Sequence, residues 1–402
     1  MYLNKHLKLG TDVVLLNWTI LSDSDQLGYS NEPMLKRFTV KSKRQYNQVK
    51  SIVNCHINKK MKQIDAHLAL FENAVYRDSA FNTVNPEYKK HIVLDNCYIN
   101  HFFTKSAEEW TLRKYHQTSA TGKDYFNTAF DRRIGEFFSF NKVTKEKQDI
   151  INRTIKLIDK VNNKVVVSLT SFGDRLYNDA YIAIQSILNQ TVKPNKICLT
   201  LFNEDLKYVP ETIQKLIDNG TVELIVANKN LKPHLKYFYA MQKYRDCIVI
   251  TIDDDHIYEA TMIEKLLETH KKHPTCVVAR RVHLIKRYGN GELLPYKQWE
   301  FEYSKQVLPG QNLFATGVGG VLYPADILEL SDKNLDDIYK CINADDIYLK
   351  WLEVKKHINT VWSPNTSFCG KNINSASSLA NRLQDTNLRG TGNDDYLKIF
   401  KI

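Results

Sequence analysis

The sequence contains no apolar run that approaches the roughly 20 residues needed to span a bilayer. Its polar start, MYLNKHLKLG, lacks the apolar core of a signal peptide. Only seven cysteines occur, and they stand singly, without a CxxC pair. This pattern argues against a disulfide framework and against a structural zinc site. We therefore expect a cytoplasmic protein in a reducing compartment.

The sequence also lacks the P-loop pattern GxxxxGK[ST] and any helix-turn-helix, zinc-finger, RRM or KH signature. Its 402 residues, 43% apolar and 25% charged, are enough for two hydrophobic cores. The formal charge of +11 favours anionic partners such as phosphates, nucleotides or acidic lipid headgroups. Without a recognition signature, nucleic acid is not an expected partner.

A Lys- and Asn-rich helical segment, KVTKEKQDIINRTIKLIDK, separates two blocks that differ in their pattern of apolar and polar residues. We predict an accessory block at residues 1–140, a helical linker at 141–162 and a second domain at 163–402. In the first block, Ser106 is followed three residues later by Glu109, which predicts a capped helix over about 106–113.

The second block alternates apolar strands with amphipathic helices. Its first strand, VVVSL, is a continuous β-branched run typical of a strand buried on both faces. This alternation predicts an α/β fold with a parallel, Rossmann-like sheet, whose ligands bind at the carboxyl ends of the strands. The predicted strands are 165–169, 196–201, 222–226 and 247–252, and the predicted helices are 180–188, 211–219 and 235–243.

Three adjacent aspartates follow the fourth predicted strand, in ITIDDDH. Carboxylates this close oppose one another's ionisation unless a cation neutralises them. Residues two apart on an extended segment point the same way, so we expect Asp253 and Asp255 to face one site and Asp254 to point elsewhere. Carboxylate oxygens suit Mg²⁺ or Mn²⁺. The sequence thus predicts a divalent metal site, with an acidic loop or helix start as the alternative.

A second acidic pair, Asp345 and Asp346, opens an amphipathic helix in ADDIYLKW. Acids at a helix start are common through capping and the helix dipole. Beyond the glycine-rich TGVGG, however, a carboxylate could return to the metal site and remove a proton from a hydroxyl nucleophile. Gly319 and its neighbours either let the backbone approach a ligand or form a tight turn, and both interpretations stay open.

In this order, the motifs resemble glycosyltransferases of the GT-A fold, most closely the family 2-like group of bacterial polysaccharide enzymes. The resemblance covers about residues 163–395. It rests on SLTSFGDRL, IQSILNQTVKPNKICL, HLKYFYAMQKY, TIDDDHIY, FATGVGGVLYP and ADDIYLKW. It implies a Rossmann-like, mostly parallel sheet flanked by helices.

The resemblance implies a nucleotide-diphosphate sugar as donor, most readily a UDP-sugar, with Mn²⁺ or Mg²⁺. Asp255 would bind the metal. Asp345 and Asp346 would form the catalytic acidic pair, in which Asp346 matches the base of inverting members and Asp345 replaces the more usual Glu. For Lys236, the alternative to a contact with the donor phosphates is a solvent-exposed charge on a helix. The expected donor-binding residues are Thr170 and Arg175 beside the nucleotide, Lys236 near its phosphates, Asp253 at the ribose or metal, and Gly319 in the glycine-rich loop.

The first block resembles the acceptor-side half of another GT-A domain, of the family 92-like or family 2-like kind, over about residues 10–135. The motifs are DVVLLNWTILSDS, NEPMLKRFT, KSIVN and INHFFTKSAEEWTLRKYHQTSATGKDY. His101 matches a position that can assist at the metal or acceptor, with a core or capping histidine as the alternative. Three explanations of this block stay open. It is a degenerate transferase that serves acceptor binding or oligomerisation, the remaining half of one enzyme of a bifunctional protein, or an unrelated additional domain.

We therefore expect a metal-dependent, inverting glycosyltransferase that builds a bacterial surface glycan such as capsule or lipopolysaccharide. An oligosaccharide or a lipid-linked glycan is the expected acceptor. The positive charge suits peripheral contact with the anionic inner face of the cytoplasmic membrane. A nucleotidyltransferase-like enzyme and a non-catalytic glycan-binding scaffold are the alternatives. The sequence does not indicate the oligomeric state.

Overall fold

A computed structural model describes two compact units, one of residues 1–27 and 32–151 and one of residues 28–31 and 152–402. The helix Lys145–Asp159 crosses this division and lies within the segment predicted as a linker. None of the described helices is long and apolar enough to cross a membrane. The described residues are 1–30, 32–45, 48–64, 67–86, 92–115, 128–159, 164–305, 308–364, 371–373 and 392–400.

A four-stranded sheet forms the centre of the first unit. Its middle strand is buried along its whole length, as the apolar run VVLLNWTI requires. This strand, β1, pairs antiparallel with β2 and parallel with β5 and β6, while β3 and β4 form a separate antiparallel pair. The strands are β1 (Val13–Ile20), β2 (Val49–Val53), β3 (Met61–Ile64), β4 (Ala69–Phe71), β5 (Tyr76–Arg77) and β6 (Ile99–His101).

The predicted capped helix of this unit is confirmed. Glu109 N donates to Ser106 Oγ at 3.3 Å, and Ser106 Oγ donates to Glu109 Oε2 at 2.7 Å. Of the motif INHFFTKSAEEWTLRKYHQTSATGKDY, the part at 116–125 lies outside the described residues. The helices are α1 (Tyr2–Lys8), α2 (Met34–Arg37), α3 (Ala107–Tyr115), α4 (Thr128–Phe140) and α5 (Lys145–Asp159).

The second unit contains a seven-stranded sheet and four short strands that form two separate antiparallel pairs. Its strands are β7 (Val165–Thr170), β8 (Lys196–Phe202), β9 (Val222–Ala227), β10 (Ile248–Thr251), β11 (His256–Ile257), β12 (Val277–Ala279), β13 (Val282–Leu284), β14 (Leu313–Ala315), β15 (Val321–Tyr323), β16 (Thr360–Trp362) and β17 (Lys371–Asn372). Its helices are α6 (Tyr181–Leu188), α7 (Glu211–Asp218), α8 (Phe238–Lys243), α9 (Met262–Lys272), α10 (Leu335–Lys340), α11 (Asp345–Lys355) and α12 (Gly392–Phe400).

The seven strands lie in the order β16-β12-β15-β10-β7-β8-β9. The pairs β10–β7, β7–β8, β8–β9 and β12–β16 are parallel, and β15 is antiparallel to both of its neighbours. The prediction of a mostly parallel α/β sheet is therefore confirmed. Because the chain winds outward from β7 in both directions, the β7–β10 boundary is the switch point at which such sheets bind ligands.

Side chains of β7 are buried on both faces of the sheet, as predicted from VVVSL. Val165, Val167 and Leu169 pack in one apolar cluster with residues of α6 and α9. Val166 packs in a second apolar cluster, which also contains side chains of α8 and α11. The sheet is thus covered on two sides, and its strand ends are left to form the site.

Two helices differ from their predicted starts, and both differences lie near the switch point. A 3₁₀ turn, Lys232–Lys236, precedes α8, with a proline in its first turn. A π-helical turn, Leu176–Ala180, precedes α6 and begins directly after Arg175. Such π turns often occur at functional sites.

Candidate functional site

Five chain segments meet at the carboxyl ends of β7 and β10. The antiparallel direction of β15 brings its first residue, Val321, beside Thr251 at the end of β10. The glycine-rich loop before β15 therefore reaches the same edge. The contributing residues are Ser171 and Arg175 after β7, Lys236 before α8, Asp253 to Asp255 after β10, Gly317 before β15, and Asp345 and Asp346 at the start of α11.

Arg175 binds two of the three adjacent aspartates. Its Nη2 atom lies 2.7 Å from Asp254 Oδ1 and 2.7 Å from Asp255 Oδ2. Ser171 Oγ donates to Asp254 Oδ2 at 2.6 Å, and His256 Nδ1 lies 3.4 Å from Asp255 Oδ1. The Arg175 side chain is only 12% exposed. It acts as an internal counter-charge at the place where the sequence predicts a nucleotide.

Lys236 joins the other aspartate of the triplet to the second acidic pair. Its Nζ atom lies 2.9 Å from Asp253 Oδ1 and 2.7 Å from Asp345 Oδ2. Although burial opposes the charged form, these carboxylates raise the pKa of Lys236 well above its usual value. Lys236 is therefore a buried ammonium between two acids rather than a solvated helix charge.

The glycine-rich loop contacts this ion-pair network through Gly317. Its N–H donates to Asp346 Oδ2 at 3.3 Å. A Cβ at this position would lie 2.8 Å from Lys236 Nζ and 3.0 Å from Asp253 Oδ1, so only glycine fits without displacement. Gly319 instead has a φ of +92° and forms a tight turn, closed by Gly320 N donating to Gly317 O at 3.2 Å. A contact of Gly319 with a ligand stays a prediction.

The carboxyl groups of the site differ strongly in acidity. Burial raises the pKa of Asp254 to about 7, against the charge of Arg175 and the Ser171 hydrogen bond. Burial and the negative charge of Asp345 raise the pKa of Asp346 to about 8. For Asp345, burial is outweighed by the charge of Lys236, which lowers its pKa. Neighbouring carboxyls held at different acidities are typical of sites that move protons.

The three aspartates do not alternate as predicted. Asp254 shares Arg175 with Asp255, whereas Asp253 pairs with Lys236. The physical reason is that β10 ends at Thr251 and a turn begins at Asp254, so the two-residue period of a strand no longer applies. In the described part of the chain, no group of three or more His, Cys, Asp or Glu side chains is arranged to hold a metal ion.

Thr170, also predicted beside the nucleotide, ends β7, and its hydroxyl donates to Thr200 O on β8 at 2.7 Å. Three polar residues at the site were missed. Ser171, His256 and Tyr258 all lie inside motifs already recognised, so their sequence positions were a usable signal. The Tyr258 hydroxyl accepts a hydrogen bond from Asp253 N at 2.8 Å and fixes the backbone of the triplet.

Residues 181–323 match the family model described as Glycosyl transferase family 2. No curated protein matches the chain. Among solved structures, the chain is similar to the 4-diphosphocytidyl-2C-methyl-D-erythritol synthase from Anaerococcus prevotii DSM 20548, with 10% identity, a TM-score of 0.34, and coverage of 58% of this chain and 98% of that one. It is also similar to S. aureus TarS 1-349, with 13% identity, a TM-score of 0.33, and coverage of 50% of this chain and 58% of that one. The same TarS fragment in complex with UDP matches with 12% identity, a TM-score of 0.33 and the same coverage.

The family match runs from α6 to β15 and includes both the aspartate triplet and the glycine-rich loop. The second unit thus contains a glycosyltransferase domain on a mixed α/β fold with a mostly parallel sheet. The resemblance expected for residues about 10–135 lies outside the matched residues and stays a prediction, as do the bounds of the three predicted segments.

Proposed function

We propose that the second unit transfers a sugar, with inversion, from a nucleoside-diphosphate donor to a hydroxyl of a bacterial surface glycan such as capsule or lipopolysaccharide. The observation that carries this proposal is the charge of the site. Five carboxyls (Asp253, Asp254, Asp255, Asp345 and Asp346) meet two cations, Arg175 and Lys236, at the switch point of the sheet. This excess of negative charge suits a divalent cation carrying a diphosphate.

The residues fit such a metal when the nucleotide supplies part of its coordination. Mg²⁺ commonly takes one or two protein carboxylates together with substrate phosphates, so a cluster of three protein ligands is not required. Asp253 and Asp255, each about one quarter exposed, would provide those carboxylates. When bound, Mg²⁺ or Mn²⁺ supplies neutralisation of the leaving diphosphate.

The acidic pair divides the remaining work between its two members. Asp346, with its raised pKa, is a strong enough base to accept the proton of the acceptor hydroxyl. Asp345 holds Lys236 in place. We therefore assign Asp345 a positioning role instead of the catalytic role that its sequence position predicts. Lys236 and Arg175 then present fixed positive charge to the diphosphate, a form of electrostatic preorganisation.

The substrate classes follow from the same proposal. A UDP-sugar is the proposed donor, and an oligosaccharide or lipid-linked glycan is the proposed acceptor. Cytoplasmic location with peripheral attachment to an anionic membrane accords with the formal charge of +11.

Calorimetric titration of UDP, GDP and CMP tests the donor site, each with Mn²⁺, with Mg²⁺ and with EDTA. We expect one nucleotide to bind only with metal, and Asp255→Asn to abolish that binding. Asp218→Asn on α7 makes the same chemical change at an exposed site and is expected to bind like the unchanged protein. Absence of binding by all three nucleotides would contradict the proposal, as would release of pyrophosphate rather than a nucleoside diphosphate during turnover.

A further inference from the structure

Both oxygens of the Asp255 carboxylate face a neighbouring side chain. Oδ2 lies 2.7 Å from Nη2 of Arg175, and Oδ1 lies 3.4 Å from Nδ1 of His256. The Asp255 side chain is nevertheless 28% exposed, so ions reach it from solvent. A divalent cation that binds Asp255 therefore competes with Arg175 for the same oxygen.

Arg175 has further partners that keep its guanidinium in place when the contact with Asp255 is lost. The same Nη2 atom lies 2.7 Å from Asp254 Oδ1, and Nε lies 3.8 Å from Asp179 Oδ2. Both of these acids are buried, and Ser171 Oγ donates to the other oxygen of Asp254 at 2.6 Å. Arg175 can thus release Asp255 and stay bound at the end of the strand.

The charge of Arg175 opposes the binding of a free metal ion. The Arg175 side chain is 12% exposed, so solvent and salt screen its charge only in part. Without a nucleotide, a divalent cation at Asp255 would have to break the ion pair and then lie beside the guanidinium, and like charges this close repel. The ion pair therefore lowers the affinity of Asp255 for metal alone.

A diphosphate changes this balance because it offers Arg175 a new partner. Guanidinium groups bind phosphate oxygens through strong, charge-assisted hydrogen bonds. When Nη2 turns from Asp255 to a phosphate, the guanidinium keeps an ionic contact and the carboxylate becomes available to a cation. Metal and diphosphate then favour each other's binding through one side chain, which is a coupling between two ligands.

We propose that Arg175 is a positioning residue that exchanges Asp255 for the donor diphosphate, so that the site binds metal and nucleotide together and binds metal alone only weakly. This exchange rests on the proposed function, since the new partner is the diphosphate of the donor. It adds a condition to that function: Asp255 becomes a metal ligand when the diphosphate has drawn Arg175 away.

Titration of Mn²⁺ alone into the full-length chain tests the competition, with free Mn²⁺ measured by its electron paramagnetic resonance signal. We expect Arg175→Gln to bind Mn²⁺ about tenfold more tightly than the unchanged protein. Asp255→Asn added to this variant should remove the gain. Arg287→Gln makes the same chemical change at an exposed arginine of the same unit and is expected to bind like the unchanged protein. A purely structural role of Arg175 would weaken binding, so equal or lower affinity in Arg175→Gln would overturn the proposal.

A double variant keeps the test independent of the buried acid that Arg175→Gln leaves without its cation. Arg175→Gln with Asp254→Asn removes one positive and one negative formal charge, so the formal charge of the site does not change. We expect the double variant to bind Mn²⁺ alone as tightly as Arg175→Gln, because Asp255 is released in both. It also decides the test if the single variant does not fold. A double variant that bound Mn²⁺ like the unchanged protein would contradict the release of Asp255.

The same titrations with UDP present separate the role of Arg175 from the proposed function. We expect UDP to raise the affinity for Mn²⁺ about tenfold more in the unchanged protein than in Arg175→Gln, because only the unchanged protein exchanges partners. An equal effect of UDP in both would overturn the role of Arg175 and leave the donor site standing. Failure of UDP, GDP and CMP to bind would instead contradict the proposed function, and the titrations with Mn²⁺ alone would still decide the competition at Asp255.

Discussion

Lys236 and Asp345 form a buried ion pair, with Nζ 2.7 Å from Oδ2, that ties the segment before α8 to the start of α11. The second carboxylate on Lys236 is Asp253, so one ammonium connects the aspartate triplet to the acidic pair. Asp346, next in sequence, makes no such pair in the described contacts and instead accepts the N–H of Gly317. Adjacent aspartates thus have different partners, which predicts different effects when each is changed.

We expect Asp346→Asn to lower kcat by about 10²–10⁴-fold, the usual contribution of a general base, and to leave metal-dependent donor binding intact. Asp345→Asn is expected to weaken donor binding about tenfold, or ~1.4 kcal/mol, and to keep most of kcat, because it loosens Lys236 and spares the base. Steady-state kinetics with nucleotide titration separates the two effects. Near-full activity of Asp346→Asn would show that the base is elsewhere.

Gly317 is expected to be intolerant of even one methyl group. The added Cβ of Gly317→Ala would lie 2.8 Å from Lys236 Nζ, which cannot move freely because two carboxylates hold it. We expect weaker donor binding with little loss of thermal stability, measured by nucleotide titration and by the unfolding midpoint. Gly289→Ala is the matched control, since its Cβ would meet open space. Equal donor affinity in the two variants would show that the loop shifts at no cost.

The sequence predicted the strands, their edge and the residues that gather there, because apolar runs and βα alternation determine the sheet. It did not predict which charges pair. The direction of each carboxylate in the triplet depends on a turn at Asp254, and the position of Lys236 depends on a 3₁₀ turn where a longer helix was expected. The close approach of Gly317 to Lys236 and Asp253 depends on β15 running antiparallel to β10. No local sequence pattern predicts the direction of that strand.

The activity is expected to rise with pH towards a plateau above about pH 8. Burial and the charge of Asp345 raise the pKa of Asp346 to about 8, so this carboxyl is protonated below that pH and cannot accept a proton from the acceptor. The pH profile of kcat/KM reports the free enzyme and should show this rise. In Asp345→Asn the repelling charge is gone, and the rise should move to lower pH. A profile with no dependence on pH in this range would contradict the assignment of Asp346 as the base.

A buried charge network under the sheet edge is expected to govern stability rather than activity. Lys350 Nζ lies 2.9 Å from Glu353 Oε2 and 3.2 Å from Thr360 Oγ1, and both charged side chains are 1% exposed. Lys350→Met would leave the Glu353 carboxylate buried without its cation, at a cost of about 3–5 kcal/mol. Urea unfolding of the full chain measures this as a fall in midpoint.

The double variant Lys350→Met with Glu353→Leu removes both charges and should recover most of that stability, because well-packed apolar residues replace a buried ion pair at little cost. Lys355→Met, on the exposed side of the same helix, is expected to change the midpoint only slightly. If the single and double variants unfolded at the same urea concentration, packing around Lys350 rather than the unpaired carboxylate would be the source of the loss. Donor binding should be the same in the double variant as in the unchanged protein, since neither residue contacts the switch-point cluster in the described structure.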